Sequence, residues 1–173
     1  MSGIEYVVLV NDNDMPLGTM EKMEAHERGK LHRAFSVFIF NKTGEMILQK
    51  RADGKYHSPG LWTNTVCSHP RPGENVEEAA HRRLMEEMGF DAPLQELFSF
   101  TYKANVGGGL TEHEFDHVFI GTTDKKPKPN QEEVSDWKYM SLQNVLDDIK
   151  KNPADYTEWF KIAVKELSYH MKK

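Results

Sequence analysis

The sequence predicts an α/β fold of the α+β kind: a mixed, mainly antiparallel sheet with helices packed against it, in a single domain spanning residues 1–173. Three observations predict it. Short apolar or alternating segments recur along the whole chain. Segments with helical period are few and do not follow every strand, which excludes the alternation of a doubly wound dinucleotide-binding fold. A chain of 173 residues, 38% of them apolar, also buries roughly two-thirds of its unfolded surface around one core and needs no staple.

In chain order, the first strand is expected at Tyr6–Val10, an unbroken apolar run, and the second at Ala34–Phe40. Met46–Lys50 and Leu61–Val66 follow as strands. A helix begins after Gly73, where Val76, Ala80, Leu84 and Met88 recur every four residues on one face until Gly89 stops it. Strands are expected again at Leu97–Tyr102 and Phe115–Gly121, with the glycine-rich Val106–Gly109 as the turn between them. Lys125–Gln131, charged and proline-rich, reads as a surface loop, and Asp136–Met140 as the last strand. Helices over Leu142–Lys150 and Tyr156–His170 end the chain, the latter burying Trp159, Ile162, Ala163, Val164 and Leu167. Internal repeats and low-complexity tracts are absent from the sequence.

Charge and composition exclude several function classes. A net charge of −5 argues against a broad nucleic-acid footprint, while leaving room for one focused cationic pocket. No apolar run approaches the roughly 20 residues needed to span a bilayer, and MSGIEYVVLV lacks the basic flank and cleavage site of a signal peptide, so a cytoplasmic protein is expected. The single cysteine, Cys67, forms no internal disulfide and is either a buried small hydrophobe or a reactive group.

Four clusters carry residue types suited to chemistry. His26 and His32 flank a short basic segment; by spacing alone they are either metal ligands or a surface and a strand-end histidine. In WTNTVCSHP, an extended chain projects Cys67 and His69 to one face, so a thiol and an imidazole share a wall, unless the cysteine is merely core. Glu112-His113-Glu114 leads into an apolar strand, and alternation sets the two carboxylates side by side. They repel unless one is protonated, a cation lies between them, or the strand is a solvated edge. The helix Gly73–Phe90 carries Glu74, Glu78, Arg82, Arg83, Glu86 and Glu87, as charge pattern alone a solvated face.

The spacing of Glu74, Arg82, Glu86, Glu87 and Gly89 resembles the Nudix box, within a segment of about residues 68–90. Ser68 stands where that box opens with glycine, and Arg83 stands where an acid follows its arginine. These departures resemble those of the type I isopentenyl diphosphate isomerases, a branch of the Nudix superfamily. The segments MEKMEAHERGKLHRAFSVFIFN, LQKRADGKYHSPGLWTNTVCSHPRPGE, TEHEFDHVF and YTEWFKI are also similar to that family, in the same order, so the likeness covers roughly residues 5–168. One further departure is Glu158, where the family has proline before Trp159.

The resemblance implies a Nudix-type mixed sheet sandwiched by helices, and a metal-dependent enzyme that converts isopentenyl diphosphate to dimethylallyl diphosphate. It implies that His26, His32, His69, Glu112 and Glu114 bind one divalent cation, whose nitrogen and oxygen donors suit manganese, zinc or magnesium. Glu87 is expected to hold magnesium together with the substrate diphosphate, and Lys22, Arg51, Lys55 and Arg83 are the matching diphosphate-binding cations. Cys67 and Glu114 are the expected acid and base, in an order left open, with Tyr102 hydrogen-bonded to the glutamate and Trp62 presenting its ring to a carbocation. A small-molecule diphosphate is the expected partner, with neither nucleic acid nor membrane, for a monomer or weak homodimer. The competing readings are a Nudix diphosphate hydrolase, disfavoured by Arg83 and Cys67, and a non-catalytic module that binds metal or diphosphate.

Overall fold

A computed structural model describes residues 3–172 of the chain. The described residues form β1 (Tyr6–Val10), β2 (Pro16–Glu21), α1 (Lys22–Arg28), β3 (His32–Phe40), β4 (Glu45–Arg51), β5 (Trp62–Thr63) and β6 (Val66–Ser68). There follow α2 (Val76–Met88), β7 (Gln95–Gly107), β8 (Leu110–Thr122), β9 (Val134–Ser141), α3 (Leu142–Lys151), a 3-10 turn over Pro153–Asp155, and α4 (Glu158–Met171).

β3 organises the sheet. One edge pairs in parallel with β8 along the whole strand, from His32 opposite Glu114 to Phe40 opposite Thr122. The other edge is shared in succession by β1 at His32, β6 at Phe35–Val37 and β4 at Phe40, all antiparallel. The sheet therefore parts between β1 and β4, and β6 fills the gap. β7 pairs with β8, and β9 with β4, both antiparallel.

Alternation along β3 sends its apolar side chains to two layers. Phe35, Val37 and Ile39 pack with Ala80, Leu84 and Met88 of α2, while Phe38 and Phe40 pack with Trp159, Phe160, Val164 and Leu167 of α4. Each such side chain contributes about 1.5–3 kcal/mol by leaving water. The helices thus cover both faces, as the sequence predicts.

Several elements differ from expectation for identifiable reasons. β2 and α1 went unpredicted because PLGTME is mostly exposed and lacks an apolar alternation, and because α1 has seven residues and buries Ala25 and His26. The strand expected over Leu61–Val66 is broken by its own buried polar side chains. Asn64 Nδ2 donates to the carbonyls of Val37 (3.1 Å) and Val66 (2.7 Å), and Thr65 Oγ1 donates to the Ile47 carbonyl (2.7 Å) and accepts from Ile39 N (3.0 Å). Side chains there replace ladder bonds. The last helix begins at Glu158 rather than Tyr156 because Thr157 is extended and caps it, accepting from Phe160 N at 3.3 Å. Val106 and Gly107 belong to β7, so the turn is Gly108–Gly109.

Lys125–Gln131 is a loop, yet a fastened one. Lys128 N donates to the Met88 carbonyl (2.8 Å) and Asn130 N to the Glu87 carbonyl (2.9 Å), at the end of α2. Gly89 is in the left-handed region at φ 74, and a Cβ there would lie 2.3 Å from the Lys128 carbonyl oxygen. Only glycine fits.

Candidate active site and metal centre

Register assembles the first three residues. Tyr102 on β7, Glu114 on β8 and His32 on β3 lie opposite one another across adjacent strands. Glu112 precedes Glu114 by two residues and shares its face. α1, packed beside β8, contributes His26, and His69 follows β6 where it fills the gap in the sheet. One ligand atom from each of His26, His32, His69, Glu112 and Glu114 lies within 4.8 Å of every other.

The two innermost imidazoles are pre-oriented. His26 Nδ1–H donates to the Lys22 carbonyl (2.6 Å) and His32 Nδ1–H to the Lys30 carbonyl (2.9 Å), so each presents Nε2 to the centre. Both are fully buried, and their Nε2 atoms, with Glu112 Oε1, have no hydrogen-bond partner. Unpartnered buried donors and acceptors that converge on one point, from nitrogen and carboxylate groups, fit a divalent cation.

Electrostatics point the same way. In the absence of a cation, burial and the neighbouring Glu114 charge hold Glu112 well above the usual carboxylate range. Burial also opposes the charge on Glu114, but the adjacent imidazoles of His32 (3.4 Å) and His69 (3.1 Å) outweigh it and hold this carboxyl well below that range. Two carboxylates pushed apart so strongly divide into one acid and one anion. Tyr102 Oη donates to Glu114 Oε1. Its own ionisation is pushed up by burial, then by Glu114.

Beside this cluster lies an inner pocket of about 30 Å³ whose walls include Cys67, Glu114, Glu112, Arg51, His57 and Trp159. Cys67 therefore faces the same space as Glu114. Burial pushes its thiol far up, so it is protonated at neutral pH. Trp159 Nε1–H donates to Cys67 Sγ (3.1 Å), and the Arg51 guanidinium lies 5.1 Å from the indole ring.

Trp62 requires correction. It lies outside the lining of the pocket, and its ring carries Lys138 Nζ at 4.2 Å. Its backbone is what matters: the Trp62 carbonyl accepts from Thr157 N (3.0 Å), and Thr157 Oγ1 donates to Thr63 Oγ1 (3.0 Å). These bonds fasten the start of α4 to β5 and bring Trp159 into the wall. Glu158, at the first helical position, suits the positive helix end and pairs with Lys161 at 2.9 Å.

Ser68 and His69 also line a larger cleft of about 450 Å³, together with Lys22, Arg71, Arg82 and Arg83. Lys22 pairs with Glu5, and its Nζ lies 4.5 Å from the centre of the Tyr56 ring. Arg83 pairs with Glu87 (2.8 Å), Glu86 (2.9 Å) and Glu133 (3.4 Å), and Lys55 also pairs with Glu133. Arg51 sits in the inner pocket. Of the four expected cations, Lys22 and Arg83 line the cleft and Arg51 the inner pocket, while Lys55 lines neither and is tied to Arg83 through Glu133. Glu87 stands apart from the five-residue cluster, and its oxygens already accept from Gln49 (3.0 Å) and Arg83.

Sequence reasoning missed His57, Glu133, Arg71 and the site role of Trp159. YTEWFKI contained the only signal for Trp159. His57 had none, since a loop histidine has no periodicity. It is buried, and desolvation followed by the Arg51 charge pushes its pKa down to about 2, so the ring is neutral.

A cluster of three imidazoles and two carboxylates at the parting of a mixed sheet, beside a cationic cleft, fits an enzyme that could hold a divalent metal next to an anionic substrate. The NUDIX domain family model matches residues 30–160. Isopentenyl-diphosphate Delta-isomerase 2 of Photorhabdus laumondii is 53% identical over 95% of this chain and 93% of that protein, and isopentenyl-diphosphate Delta-isomerase of Serratia proteamaculans is 49% identical over 94% and 91%. The chain belongs to the NUDIX family and, within it, to the isopentenyl-diphosphate Delta-isomerase family. Among solved structures, a Deinococcus radiodurans protein superposes with a TM-score of 0.79 at 21% identity, covering 94% of this chain and 98% of that one. A MutT protein from Methanosarcina mazei gives 0.69 at 18%, covering 83% and 96%. These two share the fold.

Proposed function

We propose that this chain isomerises isopentenyl diphosphate to dimethylallyl diphosphate as a single domain, with Cys67 as acid and Glu114 as base. The observation that carries the reading is that a half-buried, protonated thiol and a buried, ionised carboxylate line one inner pocket. Cys67 Sγ gives its proton to the terminal methylene carbon, leaving a tertiary cation. Glu114 takes a proton from the neighbouring carbon, and the electrons of that C–H bond close the new double bond. The thiolate and the carboxylic acid then return to their resting forms by proton exchange with solvent.

Tyr102 steadies Glu114 through its hydroxyl hydrogen bond. The Trp159 ring, in the position expected of Trp62, faces the cation and contributes about 0.5–2 kcal/mol. That is a fraction of the roughly 8–23 kcal/mol by which enzymes lower barriers, so positioned acid, fixed base and exclusion of water supply the rest.

His26, His32, His69, Glu112 and Glu114 would hold one divalent cation, manganese, zinc or magnesium, which would fix both carboxylates and polarise the surrounding pocket. Glu87 would hold magnesium jointly with the substrate diphosphate, whose charge Lys22, Arg51, Lys55 and Arg83 would neutralise. The inner pocket, about 30 Å³ in this structure, has to enlarge to admit five carbons. The enzyme works in the cytoplasm as a monomer or weak homodimer, without nucleic acid or membrane. Among the described residues no helix is long and apolar enough to cross a bilayer.

Turnover in deuterium oxide tests the proton route. The first-formed dimethylallyl diphosphate should carry deuterium in one methyl group, and longer incubation should label further positions as the reaction reverses. Unlabelled first product would exclude Cys67 and Glu114 as proton carriers. Release of phosphate from nucleoside diphosphate substrates, with no isomerisation, would favour a hydrolase instead.

A further inference from the structure

The loop between β4 and β5 closes one side of the inner pocket with Tyr56 and His57. His57 is 5% exposed, and its Nε2 is buried without a hydrogen-bond partner. The backbone is held to keep it there. The His57 carbonyl accepts from Arg51 Nη2 (3.0 Å), and Ser58 adopts φ 51, a left-handed conformation that costs a non-glycine residue about 1–2 kcal/mol. The imidazole meets the Trp159 ring edge-on, centroids 5.2 Å apart at 75°, and lies 5.7 Å from the His26 ring.

Across the pocket, 3.9 Å from His57 Nε2, is Glu112 Oε1, buried, without a hydrogen bond and touching the orphaned His26 Nε2. Each such group left alone costs about 1–3 kcal/mol. His57 Nδ1 lies 3.3 Å from Ser58 Oγ. With that hydroxyl donating to Nδ1, the ring proton is on Nε2 and directed at Glu112.

We infer that His57 is a positioning residue of the cation centre: its Nε2–H holds the Oε1 side of Glu112, while its ring fixes Trp159 against Cys67. It is a fourth imidazole at the centre without being a ligand, since the five ligand atoms lie within 4.8 Å of one another without it. A carboxylate oxygen that gives one lone pair to a metal is oriented by the hydrogen-bond donor facing its second lone pair, and losing such a partner typically weakens metal affinity about 10- to 100-fold. The inference rests on the five-residue cluster being a cation centre and is independent of the substrate.

The test is manganese and zinc affinity of apo-protein, measured by competition with a fluorescent chelator, for the parent, His57→Phe and His57→Gln. Phenylalanine keeps a ring against Trp159 but has no donor; glutamine restores an N–H of similar reach. We expect His57→Phe to bind about 10- to 100-fold more weakly and His57→Gln to recover most of the loss. In a Glu112→Gln background, His57→Phe should add little. If His57→Phe melts early, His57→Asn, whose donor is too short to reach Glu112, supplies the contrast with glutamine. Parent-like affinity in the phenylalanine variant, or equal loss in the phenylalanine and glutamine variants, overturns the role of His57. A parent that binds neither ion overturns the cation centre itself.

Discussion

Replacing each of two tryptophans by phenylalanine tests which of the two rings faces the chemistry. Trp159→Phe removes the Nε1–H bond to Cys67 Sγ and shrinks the π face beside Arg51. A lost hydrogen bond costs about 0.5–1.5 kcal/mol, and the larger part of a cation–π contact about 0.5–2 kcal/mol. Together these give about 1–3.5 kcal/mol in the transition state, or about 5- to 400-fold in kcat at 1.36 kcal/mol per decade. Trp62→Phe removes only ring area beneath Lys138, because the Trp62 carbonyl still accepts from Thr157 N. Its kcat should stay within about a factor of two, the usual span of a surface change. The assay couples dimethylallyl diphosphate to a prenyltransferase under saturating substrate, with melting curves to confirm that both variants are folded. A greater loss in Trp62→Phe than in Trp159→Phe would refute the assignment of the ring.

Cys67→Ala should lower kcat about 100- to 10,000-fold, the usual share of one acid or base, while the metal content of the purified protein stays at the parent level, because the thiol's only side-chain hydrogen-bond partner among the described residues is Trp159. Chelation should abolish turnover and lower Tm. An ion at 100 times its Kd adds about 2.7 kcal/mol, equivalent to about 5–11 °C for a chain of this length, and an unchanged calorimetric Tm in verified apo-protein would remove the cation centre. Arg82 grips Glu74 at 2.7 and 2.9 Å and, as the largest cause, holds its carboxyl below the ordinary value. A depressed folded pKa contributes stability above the unfolded value of about 4.3, and that contribution is lost as pH falls through the folded pKa. Glu74→Gln should therefore lower Tm at pH 7 and progressively less below pH 4.3. A Tm difference independent of pH would mean the pair is not the cause.

The strands that build the core were legible because β3, β4 and β8 advertise their burial through apolar runs, and α2 through its four-residue spacing and Gly89. The candidate metal cluster was readable only as family likeness, because its five residues come from α1, β3, β8 and the end of β6, and their meeting depends on register. His32 opposite Glu114 is a property of the β3–β8 pairing, which no local spacing encodes. The tryptophan was misassigned for a related reason. Trp62 lies five residues from Cys67 in sequence, whereas Trp159 reaches it through the hydrogen bonds that fasten α4 to β5. His57 was invisible because a buried loop histidine is defined by its surroundings. Breaking the strand expected over Leu61–Val66 required Asn64 and Thr65 to satisfy the backbone with side chains, an option that propensity does not register.

The loop that buttons onto the end of α2 fixes a length as well as a position. Lys128 and Asn130 dock on the carbonyls of Met88 and Glu87, and Glu133 follows three residues later to meet Lys55 and Arg83. The count of residues between Gly89's contact and Glu133 is therefore a ruler for Lys55 and Arg83. Sequence in this stretch is free to drift apart from Asn130, whose Oδ1 accepts from Glu132 N, since the docking bonds are made by backbone atoms, whereas insertion or deletion of a single residue would carry Glu133 off its two cations. Variation within this loop should be tolerated in spelling and forbidden in length.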